Sequence, residues 1–239
     1  MMASRAARAA VLTSILSLLP SCATVAPPRP MLVPAAATSP EPTAGAWPRP
    51  EVLNLALQAY QCGRREGRFA RSMLTVIDYS LPSSQPRLWV IDVEHNRVLY
   101  HELVAHGEGS GTAVPVAFSN KMDSHQSSLG LFRTDDVYNG RFGYSLRISG
   151  LEPGFNDKAR ERAIVMHGSS DVSPAFAAQW GMVGRSWGCP ALPEEAAAPV
   201  IDSIAGGAAI FAYYPDADWL RESHYLHCGM QLAGDAGPH

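Results

Sequence analysis

From Pro50 onward the apolar positions first recur every three to four residues. Val52, Leu53, Ala56, Leu57 and Tyr60 fall on one face of a helix, with Pro50 in its first turn, where a missing N–H costs nothing. The spacing predicts a helix that Cys62 closes. The pattern then changes to short runs rich in β-branched and aromatic residues. Leu74–Tyr79 and Arg87–Val93 read as strands, Glu94-His95-Asn96 as a turn, and Arg97–Ala105 as the returning strand. Val114–Phe118, Gly143–Ile148, Ala163–Met166 and Ala208–Tyr214 are further strand candidates. Asn156–Arg162 and Glu194–Ala205, the latter after Pro193, are expected as helices. Strands dominate and most connections are of hairpin length, which argues against a parallel α/β layout. The expected fold is mainly β, of α+β class, with short peripheral helices and no internal repeat.

Before Pro50 the pattern is of another kind. Arg5 and Arg8 precede the apolar run Ala9–Leu19, the order and length of an export signal. Leu19-Pro20-Ser21-Cys22 resembles a bacterial lipobox, which would leave Cys22 carrying lipid; ordinary cleavage near Ala26 is the plain alternative. Residues 23–49 are rich in Pro, Ala, Thr and Ser, a composition that buries little apolar surface and behaves as an extended linker. The expected organisation is a signal over 1–22, a linker over 23–49, one folded domain over 50–232 and a tail over 233–239. Export implies the periplasm, with Cys22 the candidate anchor to the outer membrane.

Composition narrows the classes. Hydrophobic residues are 46 % of the chain, enough for a sizeable core. The formal net charge is −3 and no long basic run occurs, which argues against a nucleic-acid partner. Nothing after the first twenty residues supplies the ~18 apolar residues that span a bilayer. Four cysteines are too few for a disulfide scaffold but enough for one bridge and one working thiol.

Three chemical patterns fail on spacing or context. His101-Glu-Leu-Val-Ala-His106 nearly spells a zinc-protease motif, but the second His comes five residues on, and on a strand the two rings face opposite ways. No metal is expected. Gly107–Gly111 lacks the spacing of a dinucleotide fingerprint and reads as a mobile loop near a cleft. Gly184-Arg-Ser186-Trp-Gly188 matches the serine-hydrolase elbow, yet Pro190 and Pro193 interrupt the helix that should follow. Asp202, Asp216 and His224 could complete such a triad, but nothing singles them out.

The same stretch holds a stronger pattern. Ala163-Ile-Val-Met-His167-Gly168 is an apolar strand ending on His-Gly, and Ser186-Trp-Gly-Cys189-Pro-Ala-Leu follows downstream. A thiol of pKa near ~8.5 is only a few per cent thiolate at neutral pH, and an imidazole nearby raises the reactive fraction. Gly188 lets a carbonyl approach the backbone, where successive N–H groups can hold an oxyanion. A buried, inert Cys189 and a merely structural His167 are the plain alternatives, weakened by the two occurring together.

These residues resemble the YkuD-like L,D-transpeptidases of the bacterial cell wall, whose motif is His, 14 to 17 residues, then Ser/Thr-His-Gly-Cys. Here 18 residues (168 to 185) separate His167 from Ser186-Trp187-Gly188-Cys189. The resemblance covers roughly 70–215 and is closest to the branch reading Gly-Arg-Ser-Trp-Gly-Cys-Pro-Ala-Leu. Ser119-Asn120, Ser127-Ser-Leu-Gly130 and Gly150-Leu-Glu-x-Gly-Phe-Asn156 match that branch as well. The resemblance implies a YkuD-like β-sandwich or barrel, Cys189 as nucleophile and His167 as base, oriented by the Gly168 carbonyl. It implies Trp187, Gly188 and Cys189 N–H groups at the oxyanion, with Arg185 and Ser186 as substrate contacts. Trp187 stands where the common family has His, and Ala191 where Asn or Arg is usual, so the pocket departs from the common one.

The implied reaction attacks a peptidoglycan stem peptide at an L-centre followed by a D-residue, forms a thioester, and passes the acyl group to a second stem's amine without a cofactor. Diaminopimelate to D-Ala gives 3→3 links; L-Ala to D-Glu gives 1→3 links, toward which the altered pocket leans. Water as acceptor would make a carboxypeptidase or endopeptidase instead. A non-catalytic wall-binding module and a Ser186 hydrolase are the readings from other classes. With Cys22 lipidated or removed and Cys189 kept free, Cys62 and Cys228 remain as the expected disulfide, which the exported compartment permits.

Overall fold

A computed structural model describes residues 47–228. The expected export signal, Cys22, most of the linker and the tail lie outside the described residues.

Helix α1 (Pro50–Arg65) buries Val52, Ala56, Ala59, Tyr60 and Cys62 on one face. It runs three residues past Cys62 (63 to 65), ending on Arg64 and Arg65, whose charges suit the carbonyl end of a helix. Strands β1 (Met73–Asp78), β2 (Leu88–Asp92) and β3 (Arg97–Glu102) follow as an antiparallel meander. Then come β4 (Gly130–Gly140), β5 (Gly143–Gly150) and β6 (Val165–Ser169). Helix α2 (Pro174–Trp180), the short β7 (Ala191–Pro193), α3 (Glu194–Ile204), β8 (Ala209–Tyr213) and α4 (Ala217–Glu222) complete the order.

All eight strands join one sheet, in the order β3-β2-β1-β8-β4-β5-β6-β7. Five pairings are antiparallel; β1 with β8 and β6 with β7 are parallel. The two ends of this order meet. Beyond β3, the Ala105 N–H donates to the Ala191 carbonyl of β7 at 2.8 Å. The Ser186 N–H donates to the His106 carbonyl at 3.0 Å, and the Glu108 N–H to the Ser186 carbonyl at 2.7 Å. The sheet therefore curls into a nearly closed barrel with a seam, which removes much of the unpaired edge. Strands β1, β2 and β8 are buried along nearly their whole length, and read as continuous apolar runs for that reason.

The Arg87 side chain is wholly buried behind the seam. Its guanidinium donates to the Val104 carbonyl at 3.1 and 2.9 Å, to the Leu81 carbonyl at 2.8 Å and to His106 Nδ1 at 2.8 Å. It also lies over the Tyr79 ring, 5.2 Å from the centroid. Burial lowers its pKa to about 10, so it remains a cation at neutral pH. Because the guanidinium only donates, His106 Nδ1 must accept, and the ring is held neutral.

Several expectations need correction. Val114–Phe118 is not a strand: only Pro115 forms a bridge, to Gly111, and Val116 is 70 % exposed. Asn156–Arg162 is a run of turns, not a helix. The Asn156 side chain is spent on other work, accepting from the Glu152 N–H at 2.8 Å and donating to the carbonyls of Leu129 (2.8 Å) and Leu131 (3.1 Å). Ala163, with φ of 53°, then ends any helical path. Strand β4, the longest in the sheet, carries little apolar alternation. Its polar half is held by charge: Asp135 pairs with Arg133 and Arg160 at 3.1 Å, and Asp136 with Arg147 at 2.6 Å. Helices α2 and α4 and strand β7 are also absent from the sequence pattern, being too short to show a period.

Cys62 is joined to Cys228, with Cα atoms 6.2 Å apart and the two residues 166 positions apart in sequence. In the chain-entropy account a loop of that size is worth at most about 5 kcal/mol. Replacing both cysteines by serine should therefore lower unfolding free energy by up to about 5 kcal/mol; an unchanged denaturation midpoint would contradict it.

His106 supplies a second expectation. Burial, and next the Arg87 cation, pushes its pKa down to about 4, below the ~6.5 of the unfolded chain. The unfolded state then binds the proton first as pH falls, so stability present above pH ~6.5 is lost toward pH ~4. The loss should be shallower in His106→Gln than in the parent, measured by denaturant unfolding at several pH values. Parallel curves would reject the assignment.

Candidate active site

The site sits on the seam. Strand β6 carries His167, in register with Ser145 of β5 on one side and Ala191 of β7 on the other. The loop leading into β7 carries Cys189, and both side chains border one cleft of about 360 Å³.

The His167 Nδ1 lies 2.8 Å from the Gly168 carbonyl. A carbonyl can only accept, so Nδ1 carries the proton and Nε2 keeps its lone pair. Burial lowers the imidazole pKa, with the Gly168 carbonyl opposing, so the ring is neutral near pH 7. Gly168 has a steric reason: a Cβ there would stand 3.1 Å from the Ala197 Cβ and 3.2 Å from the Glu194 Cα of α3. One face of the imidazole stacks on Phe142, ring centroids 4.4 Å apart.

Cys189 is free and only 7 % exposed. Its Sγ accepts from the Val165 N–H at 3.5 Å and donates to the Ala163 carbonyl at 3.9 Å. Burial raises the thiol pKa; the Val165 N–H and the Arg162 cation pull it back only in part. The resting pair is thus neutral thiol and neutral imidazole, with no hydrogen bond between them.

The loop 186–189 is stapled by Ser186. Its Oγ accepts from the Gly188 N–H at 3.1 Å and donates to the Cys189 carbonyl at 2.7 Å. Gly188 takes φ of +114°, and a Cβ there would lie 2.7 Å from the Gln126 carbonyl oxygen. This corrects one expectation: the Gly188 N–H is spent inside the loop and is not offered to an oxyanion. The N–H groups of Trp187 and Cys189 have no acceptor among the described residues. Trp187 is 61 % exposed and its ring stacks on His125 at 4.7 Å, a wall at the cleft rim. Arg185 borders the cleft and donates to the Gly111 carbonyl at 3.0 Å.

The serine-hydrolase reading fails on this geometry. Asp202 accepts from the Tyr144 hydroxyl at 2.5 Å, Asp216 caps α4 through the Trp219 N–H at 2.8 Å, and His224 meets Glu66 at 2.5 Å. None of them reaches Ser186. The two histidines of the near-zinc pattern also diverge: His106 faces Arg87, while His101 stacks on Trp89 at 4.6 Å. Cys62, Glu66 and His224 do converge, but the Cys62 sulfur is committed to Cys228. The loop 107–111, expected to be mobile, is fastened: the Gly107 N–H donates to Ser127 Oγ at 3.0 Å and the Gly109 N–H to the His125 carbonyl at 3.0 Å.

Sequence reasoning missed Arg162, Arg141 and Phe142. Arg162 donates to the carbonyls of Ser119 (2.7 Å) and Gln126 (2.6 Å) and to the hydroxyls of Ser128 (2.6 Å) and Ser124 (3.2 Å). It ties the loop behind Gly188 to the floor of the cleft. A cation three residues before a buried strand was the available signal. Arg141 and Phe142 lie at a hairpin tip, where no local pattern announces them. Of the residues singled out by resemblance, Ser119 supports the site through Arg162 and Ser127 through the Gly188 carbonyl, whereas Asn156 fastens the start of β4 to the Glu152 turn.

The L,D-transpeptidase catalytic-domain model of the YkuD_2 type matches residues 46–213. The chain belongs to that family. Among solved structures, an L,D-transpeptidase from Mycobacterium smegmatis is 15 % identical with a TM-score of 0.37, over 60 % of this chain and 59 % of that one. L,D-transpeptidase 1 of Mycobacterium tuberculosis is 16 % identical, TM-score 0.34, over 60 % of this chain and 62 % of that one. An L,D-transpeptidase from Xylanimonas cellulosilytica is 18 % identical, TM-score 0.34, over 72 % of this chain and 100 % of that one. The chain thus spans about three-fifths of the length of the two mycobacterial proteins. No curated protein sequence matches it.

The raised thiol pKa gives a direct measurement. Alkylation of Cys189 by iodoacetamide should accelerate with pH along a curve whose midpoint lies above the ~8.5 of an ordinary thiol. His167→Ala should not move that midpoint down. A rate already at plateau by pH 7 would mean a thiolate–imidazolium pair and would overturn the neutral resting state.

Proposed function

We propose that Cys189 is the nucleophile and His167 the base of an acyl transfer between peptidoglycan stem peptides. The observation that carries this is the Nδ1–Gly168 bond, which leaves a neutral imidazole with its Nε2 lone pair in the cleft that holds the free thiol. As Sγ attacks the carbonyl of the L-residue, its proton passes to Nε2. The tetrahedral oxyanion is met by the N–H groups of Trp187 and Cys189. The C–N bond then breaks, the leaving amine takes the proton from His167, and a thioester remains. An acceptor amine attacks the thioester, gives its proton to Nε2, and forms the new amide as Sγ leaves and regains a proton. Water as acceptor gives hydrolysis by the same steps.

A neutral base and a neutral thiol suit this order of events, because the thiolate forms only as the substrate arrives. We favour the bond from L-Ala to D-Glu as donor, giving 1→3 links, over diaminopimelate to D-Ala. The reasons are Trp187, Ala191 and the longer His-to-Ser spacing, each a departure from the common pocket. The sequence before Pro50 supports export to the periplasm, with Cys22 the candidate anchor.

Cys189→Ala should abolish cross-linking, a loss of several orders of magnitude by analogy with other nucleophile deletions. Mass analysis of muropeptides from cells with the parent and the variant reads both the loss and the link type. Near-normal cross-linking by Cys189→Ala would sink the assignment; 3→3 links alone would overturn the donor preference and leave the nucleophile standing.

A further inference from the structure

The cleft has a one-sided charge. Arg141, Arg162 and Arg185 border it and no Asp or Glu side chain does, although the whole chain is net −3. Elsewhere arginines find carboxylates, as Arg97 does at Asp92 (3.1 Å) and Arg147 at Asp136 (2.6 Å). None of the three cleft arginines has a carboxylate partner among the described residues. Arg162 is used up on four protein acceptors, and Arg185 gives a bond to Gly111. Arg141 donates to no acceptor among the described residues; its guanidinium lies over the neighbouring Phe142 ring at 5.6 Å.

The backbone delivers Arg141 to one side of the cleft. Arg141 and Phe142 form the two-residue tip of the β4–β5 hairpin, closed by the Gly140–Gly143 pair. Gly143, with φ of +72°, takes the left-handed position that follows a type I turn in a G1-bulge hairpin. Phe142 is half exposed, yet its ring is fixed by stacking on His167. Arg141 therefore stands on the His167 wall, while Arg185 stands on the loop that carries Cys189.

The chemistry at His167 says what should lie there. The leaving nitrogen must come within reach of Nε2 to take its proton. In both candidate donors that nitrogen belongs to a D-residue with a free α-carboxylate on the adjacent carbon. We propose that Arg141 determines specificity by binding the α-carboxylate of the leaving D-residue. The inference rests on Cys189 and His167 acting as nucleophile and base. A guanidinium and a carboxylate match in a two-point, charge-assisted geometry that a carboxamide cannot reproduce.

The test uses two synthetic stem peptides, one with L-Ala–D-Glu and one with diaminopimelate–D-Ala. Each is made as the α-carboxylate and as the α-carboxamide of the D-residue. Acylation of Cys189 is followed by intact mass and amine release, for the full chain and for Arg141→Gln and Arg141→Lys. The parent should prefer the acid by roughly 10- to 100-fold in kcat/KM, the range for a hydrogen-bonded charge. Arg141→Gln should bring the acid down to the level of the amide, and Arg141→Lys should restore part of the preference. An acid preference that survives in Arg141→Gln, or none in the parent, would overturn the proposal while acylation upheld Cys189. A parent that neither peptide acylates would overturn the nucleophile assignment, and this inference with it.

Discussion

A single buried cation organises the seam on which the site is built. Arg87 holds the carbonyls of Leu81 and Val104 and the ring of His106 together, and the segment it fixes is the one that zips onto Ser186 and Ala191. Remove the guanidinium and three acceptor groups lose their partner, two of them (the Val104 carbonyl and His106 Nδ1) buried, at a cost of about 1–3 kcal/mol each. The closing hydrogen bonds from Ala105 and Ser186 would lose their footing with them. Position along the chain hides this dependence, since Arg87 and Cys189 stand 102 residues apart (189 − 87).

The electrostatics of the cleft follow from the same closure. Seating Cys189 between β6 and the seam desolvates it, and desolvation favours the uncharged thiol over the thiolate. His167 is desolvated too, which favours its uncharged form. Burial thus acts in the same sense on both partners and keeps the proton on sulfur. Arg162 reduces the penalty for the thiolate without cancelling it.

How much of this was legible depended on where the information resides. The helical face from Val52 to Tyr60 and the apolar strands β1, β2 and β8 are encoded locally, because each buries nearly everything it has. That His167 and Cys189 share one cleft was legible because the proposed pairing of a thiol with an imidazole admits few alternative residue types. Strand β4 was not, since arginines from β5 and from the turn after it stabilise its polar half, and those contacts exist only once the sheet forms. Gly107–Gly111 looks flexible in composition but is pinned by the His125 carbonyl, the Ser127 hydroxyl and the Ser186 carbonyl. Gly188 looked like an oxyanion donor; only the fold reveals that Ser186 claims its N–H. Arg141 and Phe142 carry no local pattern, because their placement beside His167 is a matter of hairpin register.

The burial of Cys189 also bears on how the domain acquires its one disulfide. Three cysteines lie in the described residues, and three pairings among them are available to an unfolded, oxidising chain. Thiol–disulfide exchange requires a thiolate and access to the sulfur. In an unfolded chain Cys189 competes on equal terms with Cys62 and Cys228. Once the seam closes, its sulfur is held on the wall of the cleft with its proton retained, and it exchanges more slowly than the two other thiols. Folding then acts as its own proofreading: a bond between Cys62 and Cys228 is compatible with the closed barrel, whereas one that captures Cys189 must be undone before the seam can form.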